Sequence, residues 1–427
     1  MKSKIQSVKG TRDFYPEQMA FRTWLYGKVR EVSERFGYQE WEAPFLETLD
    51  LYAAKSGEEL VKQQAFVFQD RGGDEITLRP ELTPSLARLV AARQAQLGKP
   101  IRWWSFGPFW RYERPQKGRS REFFQWNIDL LGPDNPEADA EMAAIGATFF
   151  RAVGLEAGEV KIQVNNRKLL ERKVEELGVR GEVAAVFKLI DKRDKMSAEA
   201  WEGYATETVG LSAEQLSGLK DILSNRELWR ESESLVRFFE NVKALGVAEY
   251  IEYEPTIVRG LDYYTGTVFE ARDRDGEFRA ILGGGRYDNL VDAVGGDPLP
   301  ATGFAMGDMV ISLVIEKYGK KPALAVSPTQ VLVTLFDEKG AADALGLARD
   351  LRAAGLNTEI YPQAAKLDRQ LKYADGKGIR LVAILGPEEA AAGAVSLKDL
   401  AARSQRRVPR AEIAEEIRRS LDSGRGS

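Results

Sequence analysis

The chain has 427 residues, 44% of them hydrophobic and 30% charged, with a formal net charge of −4 and neither cysteine nor histidine. The missing cysteines exclude a disulfide framework, a thiolate metal site and a cysteine nucleophile. The missing histidines exclude an imidazole general base, a Ser-His-Asp triad and imidazole ligation of zinc or haem. A catalyst here must work with carboxylates, Arg, Lys, Tyr, backbone dipoles or a cofactor. The length suggests two or three domains. The charge balance does not announce a nucleic-acid binder, although a local basic surface is enough for one. The opening MKSKIQSVKGTRDFYPEQ lacks the apolar stretch of a signal peptide, and no run approaches the roughly 20 apolar residues of a membrane span. A cytoplasmic location without membrane association is therefore expected.

In chain order, residues 17–36 space Trp24, Leu25, Val29, Val32 and Phe36 as an amphipathic helix. After Gly37 comes an extended stretch interrupted by Pro44. Residues 66–80 predict a hairpin turned at Arg71–Asp74, and 82–97 a helix with Pro84 in its first turn. The stretch 101–132 is aromatic and arginine-rich, and 137–153 reads as a helix. From 170 to 250 the pattern is mostly helical, with a capping box at Ser212–Gln215, as in an inserted helical subdomain. Residues 267–283 predict a hairpin turned at Asp275-Gly276. Beyond a linker at 317–330, strand and helix patterns alternate, as in a small α/β domain with a largely parallel sheet.

Chemistry concentrates in FGPFWRYERPQKGRSREFFQWNIDLLG, residues 106–132. Arg111, Arg114, Lys117, Arg119 and Arg121 stand against Glu113 and Glu122, a local charge of 5 − 2 = +3. Strands flanking such a loop can cradle a polyphosphate or an RNA backbone, because guanidinium forks match phosphate oxygens. A solvated basic turn is the plain alternative. Elsewhere Glu81 could be a helix N-terminal charge, Tyr263 and Tyr264 strand packing, Arg259 a surface charge, and Gly283–Gly285 a tight turn with positive φ.

Taken together, the motifs are more specific. A strand with Arg111-x-Glu113, a charged loop and a strand entering with Phe123 resembles the second signature motif of class II aminoacyl-tRNA synthetases, and residues 17–48 resemble the first. Arg259-Gly-Leu-Asp-Tyr-Tyr264, Gly283-Gly-Gly-Arg-Tyr-Asp288, Leu78-Arg-Pro-Glu-Leu-Thr83 and Lys9-Gly-Thr-Arg-Asp13 are similar to motifs of the histidyl-tRNA synthetase family. The likeness spans nearly the whole chain. It implies an α+β catalytic domain (1–320) with a mixed, mainly antiparallel sheet flanked by helices, interrupted by a helical insertion (170–250). It also implies a C-terminal α/β anticodon-binding domain (328–427).

The resemblance further implies ligation of L-histidine to tRNA(His) through a histidyl-adenylate, with ATP and Mg²⁺, by a homodimer. Arg111 and Arg259 would be the catalytic pair, clamping the histidine carboxylate and the α-phosphate. Glu113 and Arg119 would hold the base and outer phosphates of ATP, with Phe123 stacked on adenine. Glu81, Thr83 and Gln125 would take the substrate amino group, and Asp129, Tyr263 and Tyr264 would line the imidazole site. No protein metal site is implied beyond a carboxylate such as Glu270 beside the phosphates. Arg114, Gln116 and Lys117 would meet the acceptor stem. Lys366, Arg369, Lys372 and the cluster Arg403, Arg406, Arg407, Arg410 are candidates for anticodon contact, a solvated helical face being the alternative for the cluster.

The chain departs from the family pattern in three places. Val310 stands where the third motif usually carries an adenine-stacking arginine, and its apolar side chain could cover a base face instead. Tyr112 and Phe124 occupy positions often held by histidine, and Asp129 is one methylene shorter than the common glutamate. The rival reading is a non-catalytic paralogue, such as the regulatory subunit of ATP phosphoribosyltransferase. Such paralogues typically lack the Arg259–Tyr264 motif and the C-terminal domain, both of which this sequence carries.

Overall fold

The computed structural model describes residues 5–53, 63–179, 181, 183–258 and 264–423. Their contacts divide them into two compact units: residues 5–13 with 24–321, and residues 14–23 with 322–423.

In chain order the first part carries α1 (Pro16–Arg35), β1 (Gln39–Glu40), β2 (Leu46–Thr48), α2 (Leu49–Ala53), β3 (Phe66–Gln69), β4 (Glu75–Leu78) and α3 (Thr83–Arg93). Then come β5 (Ile101–Trp110), β6 (Glu122–Leu131), α4 (Pro136–Ala152) and β7 (Val160–Asn166). Five helices follow, α5 (Arg167–Glu176), α6 (Val183–Asp191), α7 (Ala198–Gly203), α8 (Ala213–Ser224) and α9 (Glu233–Ala244). The unit closes with β8 (Ile251–Tyr253), β9 (Thr267–Asp273), β10 (Leu282–Tyr287), β11 (Ala301–Gly307) and α10 (Asp308–Lys317).

An eight-stranded sheet ordered β1-β5-β6-β11-β10-β9-β7-β8 forms its centre, parallel only at its two outer pairs. Side chains alternate between faces along a strand. On β6, Trp126 turns to one face and meets Phe149 of α4 at 5.3 Å between centroids. Phe123, Gln125, Asn127 and Asp129 therefore share the other face. Helix α4 starts where it does because Asn135 accepts from the Ala138 amide at 3.0 Å and Pro136 fits the first turn. The predicted turn at 71–74 forms between β3 and β4, tied by Asp70 Oδ1, which accepts from the amides of Gly72 at 2.7 Å and Asp74 at 3.0 Å.

The helical stretch builds its own core from residues including Leu170, Val186, Leu189, Trp201 and Leu219. The capping box at Ser212–Gln215 is formed, while α9 packs against α4 of the sheet rather than joining that core.

The C-terminal unit has β12 (Val331–Val333), α11 (Ala341–Ala353), β13 (Thr358–Ile360), α12 (Leu367–Gly376), β14 (Leu381–Ile384), α13 (Pro387–Ala391), β15 (Ala394–Asp399), β16 (Ser404–Pro409) and α14 (Ile413–Asp422). Its sheet runs β13-β12-β14-β15-β16, with Val331, Val333, Leu381 and Ala383 at the centre of the core.

One expectation and two of the alternative readings need correction. The C-terminal sheet is parallel only across β13, β12 and β14, since β15 and β16 add two antiparallel strands. The solvated helical face does not describe the arginine cluster: Arg406 and Arg407 lie on β16, Arg403 just before it, and Arg410 opens a short 3₁₀ turn after it. The expected hairpin forms between β9 and β10, with a turn closed by the Gly276 amide on the Asp273 carbonyl at 3.0 Å, and its connection runs on to residue 281. Asp273 organises it by accepting from the amides of Glu277 and Phe278 at 3.2 and 3.1 Å. Gly283–Gly285 are interior residues of β10, and none has a positive φ.

Candidate functional site

The face of the sheet opposite α4 is paved with glycine at its centre. Gly285 of β10, Gly303 of β11 and Asp129 of β6 lie side by side across three strands. A Cβ on Gly303 would sit 2.2 Å from Asp129 Oδ1, and one on Gly285 would sit 3.0 Å from Cδ1 of the Tyr264 ring. Here glycine is required for close approach rather than for turn geometry.

Asp129 is buried and accepts a 2.6 Å hydrogen bond from the Tyr287 hydroxyl. Burial pushes its carboxyl up to about 7, and the Tyr287 bond pulls in the opposite direction. Tyr264 is buried with Ile257 and Val268. Gln125 is half-buried on the Asp129 face, in register with Gly107 of β5 and Gly307 of β11.

Along the sheet, Arg111 donates from Nε to the Pro80 carbonyl at 2.9 Å, and its guanidinium lies 5.3 Å from the centre of the Phe123 ring. Buried Glu81 follows Pro80 directly, and half-buried Thr83 opens α3. Glu113, almost covered, pairs with Arg119 at 2.7 Å. Arg111, Glu113, Arg119, Phe123 and Glu81 are thus gathered around the base of one hairpin, with Gln125, Asp129 and Tyr264 further along the same face. Arg259 and Tyr263 lie outside the described residues.

The loop 111–121 is exposed at Arg114, Gln116 and Lys117. A bridge between Gln116 and Arg119 folds its tip, with Gly118 at φ +78°. The N-terminal Lys9–Asp13 segment crosses the loop's base: the Gly10 carbonyl accepts from the amides of Arg121 at 2.8 Å and Glu122 at 3.1 Å. Arg12 pairs with Asp308 at 2.8 Å, and Asp308 Oδ1 takes the Phe124 amide at 3.0 Å. Val310 is buried, and its Cγ2 lies 3.5 Å from the position a Cβ would take on Gly118. It therefore supports the loop instead of offering an open apolar face. Tyr112 is exposed, edge-on to Phe66 at 5.3 Å and under the Arg121 guanidinium at 4.0 Å, whereas Phe124 is buried.

Tyr287, Arg12 and Asp308 are the site residues to which sequence reasoning gave no role. Tyr287 and Arg12 lie inside motifs recognised as such, but nothing local reveals partners 158 and 296 residues away. On the opposite face, buried Arg286 pairs with Asp139 of α4 at 2.9 Å and binds the carbonyls of Pro133 and Asn135, both at 3.0 Å.

An antiparallel sheet carrying an arginine-bearing hairpin on one face, closed by a strand and helix at β11–α10, is the architecture of class II aminoacyl-tRNA synthetases. Comparison with known proteins narrows this. The model of the histidyl-tRNA synthetase family matches residues 10–309, and that of an anticodon binding domain matches residues 330–420. The chain belongs to the histidyl-tRNA synthetase family. It is 38% identical to a histidine–tRNA ligase of Thermoplasma volcanium, over 94% of this chain and 96% of that one. It is 37% identical to that of Haloarcula marismortui, over 94% and 95%. The crystal structure of histidyl-tRNA synthetase from Nostoc sp. PCC 7120 superposes with a TM-score of 0.83 at 28% identity, covering 98% of this chain and all (100%) of that one. Among the described residues, no helix is long and apolar enough to cross a membrane.

Proposed function

We propose that the protein ligates L-histidine to tRNA(His) in two steps, forming histidyl-adenylate from ATP and then transferring the histidyl group to the tRNA 3′ end. The observation that carries this reading is the buried Asp129 carboxylate on the glycine-paved face of the sheet, the face that also carries the Arg111–Phe123 pair. A carboxylate on a dry floor suits an imidazole N–H, and a ring lacking that polar edge would leave it unpaired.

In this reading Arg111 and Arg259 neutralise the two anions that must meet and hold them in line. Glu81, Thr83 and Gln125 receive the substrate ammonium, Tyr263 and Tyr264 flank the ring, and Phe123 with Glu113 and Arg119 takes the base and outer phosphates. Mg²⁺ would come with the phosphates. Glu270, buried and accepting from Arg272 Nε at 2.6 Å, is a candidate for a single protein carboxylate, and Mg²⁺ commonly needs no more than one or two. Among the described residues, no cluster of three His, Cys, Asp or Glu side chains forms a metal site.

The unit ending at Lys321 would carry the chemistry, the helical stretch at 170–250 and the loop residues Arg114, Gln116 and Lys117 would meet the acceptor stem, and the C-terminal unit would read the anticodon. We also place the protein in the cytoplasm, as a homodimer. Phe45, Leu46, Val67 and Phe68, on and beside β2 and β3, are 40–47% exposed, and grouped apolar exposure of this kind marks interfaces. Light scattering should give twice the chain mass.

Histidine-dependent exchange of pyrophosphate into ATP, followed by charging of tRNA(His), tests the function. Exchange that needs histidine is the expected result. A folded protein without exchange would establish the non-catalytic reading.

A further inference from the structure

The family's third motif normally ends in an arginine, and this chain has Val310 there, buried against the Gly118 loop. Helix α10 thus brings no cation to the nucleotide from that position. A second loop does lie beside the first. The β9–β10 connection is held to α10 by Lys317, whose Nζ is 2.9 Å from Asp273, 2.8 Å from Asp275 and 3.4 Å from Glu277. It is held to the 111–121 loop by Lys117, 3.1 Å from Glu277 and 4.7 Å from the centre of the Phe278 ring. The pairing of Leu282 with Met306 sets the residues just before β10 beside the start of α10.

Arg279 occupies this junction. It makes no hydrogen bond or ion pair with any described residue, and it stands in the electrostatic field of Glu113 and Arg119. Those two already neutralise each other at 2.7 Å, so Arg279 is a surplus positive charge next to another guanidinium. Partial burial and the Arg119 charge pull its pKa below the ordinary arginine value, while Glu113 works against that. Like charges near one another repel, and an anion bound between them would relieve that repulsion.

We propose that Arg279 binds the outer phosphates of ATP, supplying from the β9–β10 loop the cation that position 310 does not provide. A guanidinium fork suits two phosphate oxygens, and the β9–β10 loop that carries Arg279 is tied by Lys117 to the loop that carries Arg119. The α-phosphate role stays with Arg111 and Arg259, as proposed above. The assignment rests on the synthetase reading above and adds a residue to it.

The test compares ATP and AMP binding to the full-length protein by calorimetry, for wild type, Arg279→Ala and Arg279→Lys. Arg279→Ala should weaken ATP roughly tenfold or more, the loss of one charge-assisted contact, and leave AMP within about twofold. Arg279→Lys, keeping the charge but not the fork, should fall between. In pyrophosphate exchange the KM for ATP should rise with the KM for histidine unchanged. ATP binding within about twofold of wild type in Arg279→Ala would overturn the assignment, as would equal weakening of ATP and AMP. Exchange by the wild type separates the two ideas. If wild type exchanges and Arg279→Ala matches it, only this assignment fails; if wild type does not exchange, the synthetase reading fails, and the binding comparison still judges Arg279.

Discussion

The Tyr287 hydroxyl donates a 2.6 Å hydrogen bond to Asp129 Oδ1, spanning from β10 to β6 across β11. Burial pushes the Asp129 carboxyl up to about 7, and this bond opposes the rise. Use of histidine should therefore increase as pH passes upward through about 7 and Asp129 ionises. Tyr287→Phe removes the donor, so the midpoint should move to higher pH, and kcat/KM for histidine at neutral pH should drop about tenfold or more. A pH profile of pyrophosphate exchange checks both. The same shift has a stability side. The folded value lies above the unfolded one of 3.8, so the contribution is fully present below about 3.8, is lost as pH rises to about 7, and is flat beyond. Urea unfolding of Asp129→Asn should lack that slope.

Gly303→Ala should damage the site more than the fold. Its Cβ would meet Asp129 Oδ1 at 2.2 Å and the Ile128 carbonyl at 2.6 Å, so the carboxylate must move or β6 and β11 must part. Overpacking of this kind costs about 1–3 kcal/mol. A chain still folded by circular dichroism, with histidine binding reduced far more than ATP binding, is the expected outcome.

Asp308 joins the N-terminal segment to β6 through Arg12 at 2.8 Å and the Phe124 amide at 3.0 Å. Asp308→Ala leaves the Phe124 N–H without its acceptor, at a cost of about 1–3 kcal/mol. Asp308→Asn keeps an acceptor and loses only a partly exposed charge pair, a cost of about 1 kcal/mol or less. Thermal denaturation should rank wild type, Asn and Ala in that order.

Much of this site was legible in the sequence, and the remainder failed for identifiable reasons. The 101–131 hairpin announces itself because its aromatic and arginine residues recur along both strands, and the Asp70 turn because Gly-Gly follows it. The run Gly283–Gly285 reads locally as a turn. Its strand character depends on Ala305, Phe304 and Gly303 lying opposite, which no local pattern encodes. Strand β16 buries Val408 alone of its six residues, so the alternation that betrays a strand is missing and its arginines look like a solvated helix. Arg259 and Tyr263 lie outside the described residues, and their roles rest on the motif alone.

The Arg286–Asp139 pair is nearly dry on both sides, with side-chain exposures of 5% and 2%. Arg286→Met removes the counter-charge from Asp139, whose carboxyl burial already holds above its ordinary value. Breaking such a pair costs about 3–5 kcal/mol. The stranded carboxyl can escape by taking up a proton, so the deficit should be smaller near pH 5 and larger near about pH 8. Urea titrations at the two values measure the difference.

The site at Asp129 belongs to a chain with no imidazole of its own. When histidine is bound there, every imidazole resonance in a proton spectrum comes from the ligand. The chemical shifts of its two ring protons then report, without isotopic labelling or mutation of background residues, whether the ring is neutral or charged beside the carboxylate. The titration of a single buried contact becomes visible inside a 427-residue protein.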